Sequence, residues 1–86
     1  MIIDFHKSFH KQAEKLPPVQ KKRLKQTLLL FEAEPYHPDL YNQPLTGEWK
    51  GHRSISFGGD WRAHYIPQDK DTALFVVIGT HSQLYR

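Results

Sequence analysis

The sequence predicts an α+β fold: an N-terminal strand and a helical hairpin packed on one face of a small, mainly antiparallel sheet. Three observations point there. Two lysine-rich segments near the N-terminus carry apolar residues at helical spacing. A stretch of alternating residues turns on Gly58-Gly59 and alternates again from Trp61. The late run Ala73–Gly79 is apolar on both faces, the pattern of an internal strand. Helices early in the chain and strands late in it make two layers around one core.

Eighty-six residues leave room for a single domain, 1–86. A chain this short buries only about 60–65% of the surface it exposes when unfolded, so modest stability is expected. Cysteine is absent, which excludes disulfides and thiolate metal sites. The opening MIIDFHK meets charge too early for a secretory leader, and no apolar run approaches membrane-spanning length. The expectation is a soluble cytoplasmic protein without membrane contact. Net charge is +3 but uneven: Lys7 to Lys25 holds seven basic residues against Glu14 alone, while Glu32 to Glu48 holds four acids and no Lys or Arg. A basic helical face suits a polyanionic partner, though a solvated lysine-rich face is the commoner explanation of such a run.

Ile2, Ile3 and Phe5 suggest a short first strand. Lys7–Leu16 reads as a helix with Phe9, Ala13 and Leu16 on one stripe. Pro17-Pro18 breaks it and opens a second helix, Val19–Ala33, with Leu24, Leu28 and Phe31 inward and Lys21, Lys22 and Lys25 outward. Tyr36–Pro44 is an irregular connection, with Tyr36, Leu40 and Tyr41 expected as its anchors. The hairpin and the last strand complete the order β-α-α-β-β-β, followed by a short C-terminal turn. His6 and His10 stand four apart, but a metal site needs three or four ligands and no third is near. The second face of the sheet is expected to be open and polar, and is the place to seek function.

Register decides what lines that face, because a one-residue slip exchanges the faces. A three-residue loop, Phe57-Gly58-Gly59, with a glycine bulge would pair Ser56 with Asp60, Ile55 with Trp61 and Ser54 with Arg62. Ile55, Phe57, Trp61 and Ala63 then share the apolar face. His52, Ser54, Ser56, Asp60, Arg62 and His64 share the polar one.

The segment LTGEWKGHRSISFGGDWRAHY, followed by IGTHSQLY, resembles the bacterial RelE superfamily of toxin–antitoxin toxins. It is nearest the YafQ-like branch, whose pattern is PL-x-G-x-W-x-G-x-R, then D-W, then GTH-x-x-L-aromatic. The resemblance implies a RelE-like two-layer sandwich. It further implies a ribosome-dependent mRNA endonuclease that needs no metal or cofactor and is silenced by a cognate antitoxin. Asp60, Trp61, His81 and Tyr85 stand where YafQ-like toxins carry functional residues, and Arg62 where RelE and its closer relatives place an arginine. Gln43 and Ser56 depart from the pattern, standing where YafQ-like proteins typically have histidine. The rival reading is a non-catalytic binder, either a ParE-like gyrase inhibitor or a toxin relic that keeps only partner binding.

Chemically, RNA supplies its own nucleophile, the 2′-hydroxyl. Cleavage needs a base, an acid for the departing 5′-oxygen, and positive charge on the phosphate, and histidine is the usual proton carrier near neutral pH. His81 is the first choice for that role, and Arg62 can present a fork of donors to phosphate. Asp60 could act as base or orient either of them, and Tyr85 could donate to phosphate or stack on a base. Lys50, Ser56, Gln43, Lys21, Lys22 and Lys25 are expected along the RNA-binding surface. Arg53 is expected to tie down the loop before the hairpin. Strand rise puts His64 roughly 13 Å from Asp60 and about 7 Å from Arg62, too remote for a direct part in catalysis.

Overall fold

The computed structural model describes residues 1–85. The elements are β1 (Ile2–Phe5), α1 (Lys7–Glu14), α2 (Pro18–Ala33), β2 (Gln43–Pro44), β3 (Arg53–Ser56), β4 (Trp61–Asp69), β5 (Thr72–Thr80) and α3 (His81–Leu84). The sheet order is β1-β5-β4-β3-β2. β1 runs parallel to β5, and the other pairs are antiparallel. The expected order holds, with one addition: the end of the irregular connection pairs briefly with β3 as the edge strand β2.

Local chemistry explains the helix ends. The His6 ring accepts the Ser8 N–H at 3.1 Å and so caps α1. α1 stops at Glu14, two residues before the expected end, yet Leu16 stays buried. α2 opens on Pro18, where a missing N–H costs nothing. Both helices meet the same face of the sheet at Phe75, whose ring lies 5.5 Å from Phe9 and 5.2 Å from Phe31. Tyr65 completes the aromatic centre, 5.0 Å from Phe31 and 5.1 Å from Phe75. Such pairs are each worth about 0.5–1.5 kcal/mol beyond area burial. Lys21, Lys22 and Lys25 point to solvent from this helical layer.

The hairpin corrects the expected register by two residues. Ser56 pairs with Arg62, Ile55 with Ala63, Ser54 with His64 and Arg53 with Tyr65. The loop is Gly58–Asp60, closed by Phe57 N–H to Trp61 O at 3.1 Å and Trp61 N–H to Gly58 O at 3.0 Å. Gly58 and Gly59 both adopt positive φ, +123° and +52°, which brings Asp60 into the turn rather than into the strand. A two-residue slip preserves the faces. Ile55, Phe57 and Ala63 are buried against the helices, Trp61 is half-buried there, and Ser54, Ser56, Arg62 and His64 take the opposite face.

The connection before the hairpin is held differently than expected. Leu40 is buried, but Tyr36 and Tyr41 are 67% and 75% exposed. Asn42 does the anchoring: its amide donates to Pro35 O and to the Tyr65 hydroxyl, both at 2.8 Å, and its oxygen accepts from Arg53 Nε at 2.8 Å. The Arg53 guanidinium also lies over the Tyr36 ring, 5.4 Å from its centroid. Arg53 therefore ties this loop down, as expected.

The second face is not fully open, because the C-terminal turn folds back over it. Thr80 caps α3 by accepting the Gln83 N–H at 3.3 Å, and the Gln83 side chain accepts the Thr80 N–H at 2.9 Å. This reciprocal capping box fixes the exit angle from β5. The turn lies so close that a Cβ on Gly79 would meet Leu84 Cγ at 2.9 Å. We expect Gly79→Ala to destabilise the chain by about 1–2 kcal/mol through overpacking. The penalty should shrink in a Leu84→Ala background, as read by urea melts of the four-member cycle. Equal penalties in both backgrounds would show that Leu84 is not the obstacle.

Candidate active site

The end of the second face, where β3, β4 and β5 meet α3, gathers Ser56, Asp60, Arg62, His81 and Tyr85 from the residues singled out in the sequence. Arg62 and Gly79 are cross-strand partners, as are Trp61 and Thr80. The His81 N–H donates to Asp60 O at 2.8 Å, joining the hairpin loop to the start of α3. His81 itself is exposed, and its ring lies 4.6 Å from that of half-buried Tyr85.

Arg62 is held in place through one nitrogen. Its Nη1 donates to Gly59 O at 2.7 Å, Trp61 O at 3.0 Å and Ser56 Oγ at 3.2 Å. Among the described residues its other two nitrogens have no acceptor, so a guanidinium edge remains for an anion. Ser56 thus faces Arg62 and not Asp60, the correction that follows from the register. The Asp60 carboxylate is exposed and forms no ion pair with Arg62; that loop contributes its backbone carbonyls instead.

Behind this rim sits a residue that strand arithmetic alone excludes. His64 is fully buried, and its Nε2 lies 2.9 Å from the Tyr85 hydroxyl. Trp49, from the 3-10 turn Gly47–Trp49, covers it edge-on with ring centroids 4.6 Å apart. The Trp49 indole donates to Leu84 O at 3.0 Å, locking that turn against α3. The distance of His64 along its own strand does not keep it from Tyr85, because the C-terminal turn brings Tyr85 back to it. The one sequence signal for this return is Thr80-x-x-Gln83, a capping-box spacing that starts a helix and reverses the chain. Burial, reinforced by the neighbouring His52 and then Arg62, pushes the His64 pKa down from 6.5 to about 4.

Other expected residues stand apart. Gln43 is exposed on β2, in the same cross-strand row as Ser54 and His64 but roughly 10 Å from β4 at the usual strand spacing. Lys50 is exposed at the end of the turn that carries Trp49, beside the same face. Lys21, Lys22 and Lys25 lie on the helical layer, across the sheet from Arg62 and His64. Among the described residues no three His, Asp or Glu side chains are grouped so that they could hold a metal ion.

This architecture is that of the toxins of type II toxin–antitoxin systems. The chain matches YafQ from Escherichia coli strain BL21(DE3) with a TM-score of 0.75 and 26% identity, over 98% of this chain and 97% of that one. It matches the YafQ chain of the E. coli DinJ–YafQ toxin–antitoxin complex with a TM-score of 0.65 and 29% identity, covering 98% and 96%. RelE-like structure extends to the RelB–RelE antitoxin–toxin complex of Methanococcus jannaschii, where a TM-score of 0.74 at 19% identity, over 95% and 94%, shows shared fold alone. The comparison with curated proteins gave no match. The family model for the bacterial YafQ toxin of type II toxin–antitoxin systems covers residues 1–86, and the chain belongs to that family.

The lowered His64 pKa carries a stability prediction. Unfolded, this histidine binds a proton near pH 6.5; folded, it resists doing so until about pH 4. Between those values the unfolded chain holds more protons, so stability is greatest above pH 6.5 and falls as pH drops toward 4. Urea melts at pH 7, 5.5 and 4.5 should show this decline, and His64→Leu should flatten it. An equal decline in the variant would assign the acid sensitivity to other groups.

Proposed function

We propose that the chain is a ribosome-dependent mRNA endonuclease, an mRNA interferase that cleaves by 2′-hydroxyl attack on the adjacent phosphate. The observation that carries this reading is the convergence of Arg62, His81 and Tyr85 at one end of the second face. Arg62, anchored through Nη1, offers its remaining N–H groups to the phosphate as charge builds on it. His81, exposed at the start of α3, moves the proton between the reacting oxygens. Tyr85 donates to a phosphate oxygen. Asp60 holds the His81 backbone through its carbonyl and places a carboxylate at the rim. Lys50, Ser56 and Gln43 line the approach of the strand.

A rim with Asp60 and His81 exposed supplies little substrate grip of its own, which is consistent with a ribosome presenting the mRNA. The chain then works in the cytoplasm. A cognate antitoxin is the expected silencing partner, since E. coli YafQ was solved with DinJ as a toxin–antitoxin complex. Covering the Arg62–His81 rim would suffice to inactivate the toxin.

With purified ribosomes and a defined mRNA, the wild-type chain should generate new mRNA ends during translation. His81→Ala and Arg62→Ala should each abolish cutting. His81 is exposed, so its loss should leave the melting temperature almost unchanged; losing the Arg62 bonds should cost on the order of 1 kcal/mol. Cutting at the wild-type rate by both variants would place the site elsewhere. Gyrase inhibition without any mRNA cleavage would instead favour a ParE-like binder.

The basic helical face makes a separate prediction. Neutralising Lys21, Lys22 and Lys25 should weaken ribosome binding and flatten its salt dependence. The slope of log affinity against log salt should fall by about 0.7–0.9 for each phosphate that is no longer neutralised. A salt titration that superimposes on that of the wild type would exclude RNA contact by this face.

A further inference from the structure

We propose that His64 is a positioning residue for Tyr85: its ring donates Nε2–H to the phenol oxygen and turns the hydroxyl proton outward, toward a phosphate oxygen of bound RNA. The proposal deepens the endonuclease reading and rests on it. The contact is short, 2.9 Å, and lies behind the C-terminal turn where His64 is fully buried. Trp49 closes the ring in at 4.6 Å, and Ser54 is its cross-strand neighbour.

The direction of the hydrogen bond follows from the surroundings. Burial together with His52 and Arg62 keeps the imidazole neutral at physiological pH, so it carries one N–H. Among the described residues its Nδ1 is buried without a partner. If Tyr85 donated to Nε2, the imidazole proton would sit on Nδ1 as an orphaned buried N–H. The phenol would also have spent its proton inward and would present only lone pairs to an anion. If His64 donates instead, Nδ1 is left with a bare lone pair, and the phenol proton is available to phosphate. Buried donors are left unpaired more rarely than acceptors in backbone groups, and the same preference applied here selects the second arrangement. His64 therefore acts without touching RNA, by setting which side of Tyr85 carries the proton.

A double-mutant cycle in single-turnover cleavage on stalled ribosomes tests this, with melting curves taken for every variant. Tyr85→Phe and His64→Leu should each slow cutting by about tenfold, equivalent to ~1.4 kcal/mol. Together they should cost no more than Tyr85→Phe alone, because both remove the same hydrogen bond. His64→Gln, which keeps an N–H near the Nε2 position, should recover most of the rate. Nitrogen-15 shifts of the wild-type imidazole should report the Nε2–H tautomer. Losses that multiply, a glutamine variant no better than leucine, or an Nδ1–H tautomer would overturn the role of His64. A wild-type chain that leaves mRNA intact on ribosomes would remove the endonuclease reading itself, whereas a cutting wild type with multiplying losses removes the positioning role alone.

Discussion

The close approach of α3 to β5 is the constraint on which the site depends. With no side chain at Gly79, Leu84 can rest on the strand, and the Thr80–Gln83 capping box turns the chain sharply enough to bring it there. Three consequences follow from that one reversal. His81 is left at the exposed start of the turn, Tyr85 reaches back to His64, and the carbonyl of Leu84 becomes the acceptor for the Trp49 indole. Without it, the second face would be an open row of serine, arginine and histidine side chains with no roof and no defined edge.

The two faces of the sheet divide the work. The helical side carries the core, with the aromatic centre of Phe9, Phe31, Tyr65 and Phe75 at its middle. The other side carries the polar groups and keeps His64 and Ser54 out of water, with Nδ1 and Oγ atoms that lack partners among the described residues. Each such atom costs on the order of 1–3 kcal/mol. A small domain holds such groups at some cost to its stability, and here they lie directly behind the proposed catalytic rim. Arg62 is the opposite case, since two backbone carbonyls and the Ser56 hydroxyl of its own hairpin hold it.

Much of this is legible in the sequence because it depends on periodicity. The apolar stripes of the two helices, the alternation of the hairpin and the all-apolar last strand lead to the right layers. Turn chemistry at Gly58-Gly59 puts the hairpin register two residues out, yet the face assignments survive because side chains alternate with a period of two. What fails depends on long-range geometry. Tyr36 and Tyr41 look like anchors by their aromatic character, but Asn42 holds that loop through bonds to Pro35, Arg53 and Tyr65. Distance along the strand separates His64 from Arg62 and Asp60, a sound estimate that takes no account of a turn folding back across the sheet. The family motifs locate Arg62, His81 and Tyr85 in the chain, but not the histidine behind them.

The chemistry of the mRNA ends left after ribosomal cleavage tests the central claim most directly. The proposed attack by the 2′-hydroxyl would leave a 2′,3′-cyclic phosphate or its hydrolysis product upstream and a free 5′-hydroxyl downstream. Ligation and kinase-dependent labelling of the fragments distinguish these ends from those made by a water nucleophile. The account predicts a downstream fragment that is labelled by kinase without prior phosphatase treatment. Fragments bearing 5′-phosphate and 3′-hydroxyl ends would contradict it.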